Sequence, residues 1–157
     1  MEIKGILNED FVNYKKPSML IMFPKCTFKC DKECGSSVCQ NSALAKGNSI
    51  VVSSSFLIDK YLENPFTSAI VCAGLEPLDS VEDLLGFIHA VRDKTDDDIV
   101  IYTGYNEDEI EDIVFQFKQY PNIYVKFGRF VPGQSSHFDE VLGVNLASDN
   151  QYGKKVS

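Results

Sequence analysis

No apolar run in the 157 residues approaches the roughly 18 that a membrane span requires. Positive charge is scarce as well. Lys plus Arg total 15 against 23 Asp plus Glu, a formal net charge of -8, and Arg92 and Arg129 are the only arginines. An acidic surface of that size repels phosphate backbones and anionic lipid, so no nucleic-acid partner and no membrane surface is expected. Met1 to Lys16 interleaves Glu2, Lys4, Glu9, Asp10, Lys15 and Lys16 with apolar residues, a pattern unlike a signal peptide. A cytoplasmic location is the expectation. Repeats and low-complexity stretches are absent, and the length suits a single domain over residues 1–157 that fills its core without disulfide staples.

What is present is thiol. Of five cysteines, Cys26, Cys30, Cys34 and Cys39 fall within one short segment, and Cys72 stands apart. An odd count in such a tight cluster argues against a disulfide framework and for a metal. Structural zinc and an iron–sulfur cluster are both open. Zinc sites, however, usually use two short cysteine pairs a dozen or more residues apart. Here the spacings are three, three and four residues, with no second pair and no histidine nearby.

The rest of the chain alternates. Ser18 to Phe23 is a short apolar run ending at Pro24, read as a buried parallel strand that feeds the cysteine segment. Ser53 to Ser55 offer caps to a helix bearing Leu57, Ile58, Tyr61 and Leu62, stopped at Asn64-Pro65. Ala69 to Ala73 is a second strand. Asp79 or Ser80 then caps a helix whose apolar face is Val81, Leu84, Leu85, Ile88 and Val91. Ile99 to Tyr102 is a third strand, Asn106 opens a helix with Ile110, Ile113, Val114 and Phe117, and Ile123 to Phe127 is a fourth strand. Strand and helix alternating at this interval imply right-handed crossovers and an α/β fold with a mainly parallel sheet. Beyond Phe130 only weak strand character remains.

Ligands of such sheets bind beyond the carboxyl ends of the strands. The cysteine segment, Gly74-Leu75-Glu76-Pro77, Thr103-Gly104-Tyr105 and Gly128-Arg129-Phe130 all fall on that edge. At these residues the sequence resembles the radical S-adenosylmethionine superfamily, and within it the activating proteins of anaerobic ribonucleoside-triphosphate reductase. The likeness also takes in Asp10-Phe11-Val12-Asn13, Val38-Cys39-Gln40-Asn41 and Leu146-Ala147-Ser148-Asp149-Asn150-Gln151, and so spans nearly the whole chain.

The resemblance implies a partial TIM-type (βα) barrel, with the cluster loop after the first buried strand. It implies a [4Fe-4S] cluster on Cys26, Cys30 and Cys39, which would be both metal ligands and catalytic residues. The S-adenosylmethionine contacts it implies are Val38, Asn41, Gly74, Glu76, Pro77, Thr103, Gly104 and Tyr105. It further implies an electron donor such as flavodoxin or ferredoxin and a protein substrate, the anaerobic reductase, on which a glycyl radical is made. The chain departs from the family at two points. Cys34 and Cys39 compete as third ligand; with Cys39 chosen, residues 31–37 become an outward bulge with Cys34 at its tip. Leu75 also replaces the second glycine of a Gly-Gly-Glu-Pro.

Other readings stand beside these. A radical enzyme on a small molecule, similar to 7-carboxy-7-deazaguanine synthase, a zinc-stabilised binding module and a bare electron carrier remain open. Cys72 reads as an inert buried thiol and His137 as a solvated loop residue. The runs Asp96 to Asp98 and Glu107 to Glu109 read as solvated charge, and Arg129 as a contact to the substrate protein or to a ligand carboxylate.

Overall fold

Four apolar runs too short for helices become the centre of a sheet. The computed structural model describes residues 1–157, and in it β3 (Ser18–Phe23), β5 (Ala69–Gly74), β6 (Asp98–Tyr102) and β7 (Ile123–Phe127) lie side by side and parallel. Two antiparallel edge strands complete six: β2 (Gly5–Asp10) beside β3, and β10 (Tyr152–Lys155) beside β7. The sheet is therefore mixed but mainly parallel, in the order β10-β7-β6-β5-β3-β2. Two short pairs lie apart from it: β1 (Glu2–Ile3) with β4 (Ile50–Val51), and β8 (His137–Asp139) with β9 (Val144–Leu146).

Side-chain alternation along the strands gives the sheet two distinct apolar faces. Ile21, Cys72, Ile99, Ile101, Val125 and Phe127 point to one side. There they meet α3 (Ser54–Glu63) through Leu57, Ile58 and Tyr61, α4 (Val81–Arg92) through Leu84, Phe87, Ile88 and Val91, and α5 (Glu111–Phe117) through Val114 and Phe117. Each such side chain, fully buried, contributes about 1.5–3 kcal/mol relative to exposure. Leu20, Val71 and Val100 point the other way, and no long helix covers them. Tyr14, Leu142, Val144 and Leu146 do so instead, from the chain after β2 and from the β8–β9 hairpin. That second face stays partly open at the carboxyl end of the strands, and the opening is where the site forms.

Helix starts follow local chemistry, with two departures from the sequence reading. Ser53 caps α3 as expected, its hydroxyl accepting from Phe56 N–H at 3.1 Å. Ser80 caps nothing, because a single 3-10 turn over Pro77–Ser80 precedes α4 and Glu76 caps that turn, accepting from Leu78 N–H. Phe87 joins the buried face of α4, whereas Leu62 of α3 is exposed. A second 3-10 turn, Glu107–Glu109, precedes α5 and is closed by a reciprocal capping box between Asn106 and Glu109.

The acidic run before β6 is structural. Asp98 is buried, accepts from Tyr14 Oη at 2.9 Å and pairs with Lys16 at 2.5 Å; Asp97 accepts from Tyr61 Oη at 2.7 Å. Each hydrogen bond joins a loop or helix to the strands' amino edge. His137 sits in β8 rather than in a loop, half-buried. No helix is long and apolar enough to cross a membrane.

Candidate functional site at the carboxyl edge of the sheet

A cavity of about 420 Å³ opens over the second face, at the carboxyl ends of β3, β5, β6 and β7. Its wall includes Cys26, Cys30 and Cys39 together with Asn41, Gly74, Glu76, Thr103 and Gly104. Four chain segments thus converge as the sequence order implied. Val38, Pro77 and Tyr105 are not part of this wall. Tyr105 lines a smaller recess behind it with Cys26, Cys30, Glu76 and Arg129, and Pro77 is buried at the start of its turn.

Backbone geometry at β5 explains the convergence. Gly74 takes a φ of +91°, and a Cβ there would lie 2.8 Å from Met22 Cα and 2.9 Å from Phe23 N. Only glycine lets the chain turn so close to β3. Leu75 needs no positive φ, which reconciles it with the sequence departure noted above. The turn continues in register: Leu75 N–H donates to Phe23 O at 3.2 Å and Glu76 N–H to Lys25 O at 2.7 Å. The Glu76 carboxylate then bridges outward, accepting from Leu78 N–H at 3.1 Å and from Gly104 N–H at 2.8 Å. The loops after β5 and β6 are held together by this one side chain. Gly104 separates it from the thiol side, since a Cβ there would meet Glu76 Oε2 at 3.5 Å and Cys30 Sγ at 4.0 Å.

The cysteine segment is more ordered than a bulging loop. Phe28, with φ +53°, starts a short helix, α1 (Lys29–Cys34), which ends at Gly35 in the left-handed region. A second short helix, α2 (Ser42–Lys46), follows Asn41. Asp31 folds the intervening chain back: its Oδ1 accepts from both Val38 N–H and Cys39 N–H at 2.8 Å. Cys39 thereby returns beside Cys30, and Cys34 is left exposed at the far end of α1, outside the cavity wall. Asn41 ties the segment to β5, its Nδ2 donating to Gly74 O at 2.7 Å.

Three further contacts dock the segment on the strand ends. Asp79 accepts from Thr27 N–H and from Tyr105 Oη, both at 2.7 Å. The ammonium of Lys29 stands 4.2 Å over the Tyr105 ring. Arg129, buried, makes a bidentate pair with Glu109 at 2.6 and 2.7 Å, and its Nε lies 3.1 Å from Glu33 on α1. Two sequence readings change here. Glu109 is not idle solvated charge, and the Arg129 pair holds it down to about 2. Arg129 is committed to two carboxylates of its own chain, and Tyr105 to the hydrogen bond that braces Asp79.

Ionisation follows burial. Burial pushes the Cys26 thiol up to about 11, with Glu76, Asp79 and Cys39 adding to the rise against one backbone hydrogen bond from Phe28. Cys30 is raised for the same first reason. Such thiols are neutral at pH 7 and release protons to a metal. Burial likewise lifts Glu76 to about 7, against the N–H groups of Gly104 and Leu78. Cys72 is completely buried and pushed up to about 12 by burial, an inert core thiol. Among the wall residues that the sequence reading did not single out are Leu44, Tyr102, Asn145 and Lys126, the last of which stands on the cavity face of β7 by strand alternation.

No three His, Cys, Asp or Glu side chains are arranged to hold a single metal ion. The three wall thiols border a larger space, and soft, half-buried thiols fit an iron–sulfur cluster. No curated protein matches the chain. A family model described as a 4Fe-4S single cluster domain matches residues 18–150, from the first residue of β3 to the segment before β10. That span holds the cysteine segment, every parallel strand and the loops that follow them at the cavity, and the chain belongs to the 4Fe-4S single cluster domain family.

Proposed function

We propose that this protein is a radical S-adenosylmethionine enzyme that makes a glycyl radical on a partner protein, the anaerobic ribonucleoside-triphosphate reductase. The observation that carries the reading is the sharing of one cavity by three thiols and by the Gly74-Leu75-Glu76 and Thr103-Gly104 loops, with the fourth nearby thiol outside. In that reading the sheet is the incomplete (βα) barrel of such enzymes, and residues 1–157 form one domain of it. A four-iron cluster with three protein ligands, when bound, supplies the electron that splits S-adenosylmethionine into methionine and a 5′-deoxyadenosyl radical.

The chain's own residues do the rest. Cys26, Cys30 and Cys39 would hold the cluster through their three thiolates. Glu76 and the Gly74 carbonyl offer acceptors to an ammonium, which has only donors to give. Asn41 and Thr103 shape the polar wall, while Val38, Pro77 and Tyr105 flank it in the same loops. The open second face suits a substrate that brings its own cover, as a protein segment does. A donor such as flavodoxin or ferredoxin would deliver the electron from the cytoplasm.

Anaerobic reconstitution with iron and sulfide, followed by electron paramagnetic resonance with and without S-adenosylmethionine, tests this. A reduced four-iron signal that changes on addition, with 5′-deoxyadenosine released, is the expected result. A cluster signal indifferent to S-adenosylmethionine, with no 5′-deoxyadenosine, sinks the enzyme reading and leaves an electron carrier.

Asp31 gives a separate prediction. Its two hydrogen bonds to backbone N–H groups at Val38 and Cys39, charge-assisted and worth about 1.5–3 kcal/mol each, keep the second and third thiols adjacent. The Asp31→Ala protein is expected to fold, because the helices of the main core do not touch this carboxylate. It should lose iron to a chelator several-fold faster than the parent, measured by the absorbance of the iron–chelator complex. Equal rates would mean that the segment needs no clamp.

A further inference from the structure

Arg129 is 5% exposed and stands behind the thiol segment, in a small recess that it shares with Cys26, Cys30 and Gly104. A Cβ on Gly104 would lie 3.7 Å from Arg129 Cγ and 4.0 Å from Cys30 Sγ. With no side chain between them, a buried cation and a cluster-side thiol are close neighbours. The Arg129 charge favours the Cys30 thiolate, and the thiolate in turn favours the guanidinium.

Four charges meet at this point. Arg129 holds Glu109 through both terminal nitrogens and faces Glu33 at 3.1 Å from Nε, while Lys29 pairs with Glu109 at 3.3 Å. Two cations against two carboxylates leave the group neutral. Lys29 and Glu33 come from α1, Glu109 from the turn before α5 and Arg129 from the loop after β7. Glu33 follows Cys30 by three residues, on the same face of α1. Docking alone does not call for this arrangement. Asp79, Asn41 and Asp31 already hold the segment, and taking a guanidinium out of water is costly. An iron–sulfur cluster responds to such charge: a fixed cation beside a thiolate ligand favours the reduced, more negative state, and a fixed anion opposes it.

We propose that Arg129 is a redox-tuning residue: with Glu33 as its exposed counter-charge, it sets the reduction potential of the cluster through Cys30. The inference rests on Cys30 being a cluster ligand, as in the reading above, and needs no S-adenosylmethionine. Because the four charges balance, losing one of either sign leaves a single net charge beside the thiolate. Without the Arg129 cation the group is negative and reduction becomes harder. Without the Glu33 carboxylate it is positive and reduction becomes easier.

A redox titration of the reconstituted full chain, followed by electron paramagnetic resonance of the reduced cluster, tests this. For Arg129→Met the equilibrium constant for reduction is expected to fall about tenfold, or about 59 mV for a one-electron couple. For Glu33→Gln it should rise about threefold, a smaller effect because that side chain is 60% exposed. Arg129→Lys, which keeps the charge, should stay within about threefold of the parent. Opposite signs are the signature, since loosened packing admits water in either variant and shifts both the same way. Shifts of one sign, or an unchanged potential in Glu33→Gln, overturn the tuning role. Glu33 lies on the surface of α1 and decides the matter even where Arg129→Met loads no cluster. A parent chain that takes up no cluster, or a Cys30→Ala chain that takes up as much as the parent, overturns the ligand assignment itself, and the tuning role with it.

Discussion

Replacing Cys39 with alanine is expected to abolish cluster loading, while replacing Cys34 leaves it intact. The argument is geometric. Cys39 stands in the same cavity wall as Cys26 and Cys30, brought back by the Asp31 hydrogen bonds. Cys34 is exposed at the end of α1, and Gly35 follows it in a left-handed turn that leads the chain away. Neither side chain belongs to the buried core, so both variants should keep the parent's circular dichroism. Iron and sulfide per chain after anaerobic reconstitution give the readout. Near-parent loading for Cys34→Ala and almost none for Cys39→Ala is the expected pair. The reverse pair would mean that α1 unwinds on metal binding and that Cys34 is the third ligand.

How far the sequence foretold this depends on what each element asks of its residues. The four parallel strands were legible because burial on both faces demands continuous apolar runs, and Ser18–Phe23 and Ala69–Gly74 are such runs. Edge strand β2 was not: Gly5–Asp10 carries Asn8, Glu9 and Asp10 and is largely exposed, so no period marks it. Helix α1 escaped for a different reason. Its six residues bury nothing, and tertiary contacts through Thr27, Lys29 and Glu33 hold it in place of an apolar stripe.

Within the site, residue identity showed which loops converge but not what each side chain does there. Glu109 and Asp79 look like ordinary helix-start acids until the fold brings Arg129, Tyr105 and Thr27 to them. Lys126 carried a faint signal, a lysine in an otherwise apolar strand beside a glycine-containing strand end. A lysine in that place reads by default as exposed. Only the three-dimensional arrangement, with Gly153 opposite and the hairpin above, turns it inward.

Gly74→Ala is expected to be the most destabilising single methyl that the site can receive. The added Cβ would sit 2.8 Å from Met22 Cα, 2.9 Å from Phe23 N and 3.0 Å from Met22 Cβ. The first two are backbone atoms of β3, a strand paired on both sides, which cannot yield as a flexible side chain would. Strain at φ +91° adds about 1–3 kcal/mol and the clash about 1–3 kcal/mol more. For a chain of this size a loss of about 2–6 kcal/mol lowers the midpoint of thermal unfolding by roughly 4–24 °C. Gly86 provides the control. It lies exposed on α4 with nothing within 4 Å of its would-be Cβ, so Gly86→Ala should stabilise by about 0.5–1 kcal/mol. Thermal melts of the metal-free chain separate the two. The same shift should disturb the cavity, because Leu75 and Glu76 take their places from hydrogen bonds to Phe23 and Lys25 immediately after this turn. A Gly74→Ala protein that melts with the parent would show that β5 leaves β3 by another path, and the convergence of thiols and carboxylate on one cavity would lose its structural basis.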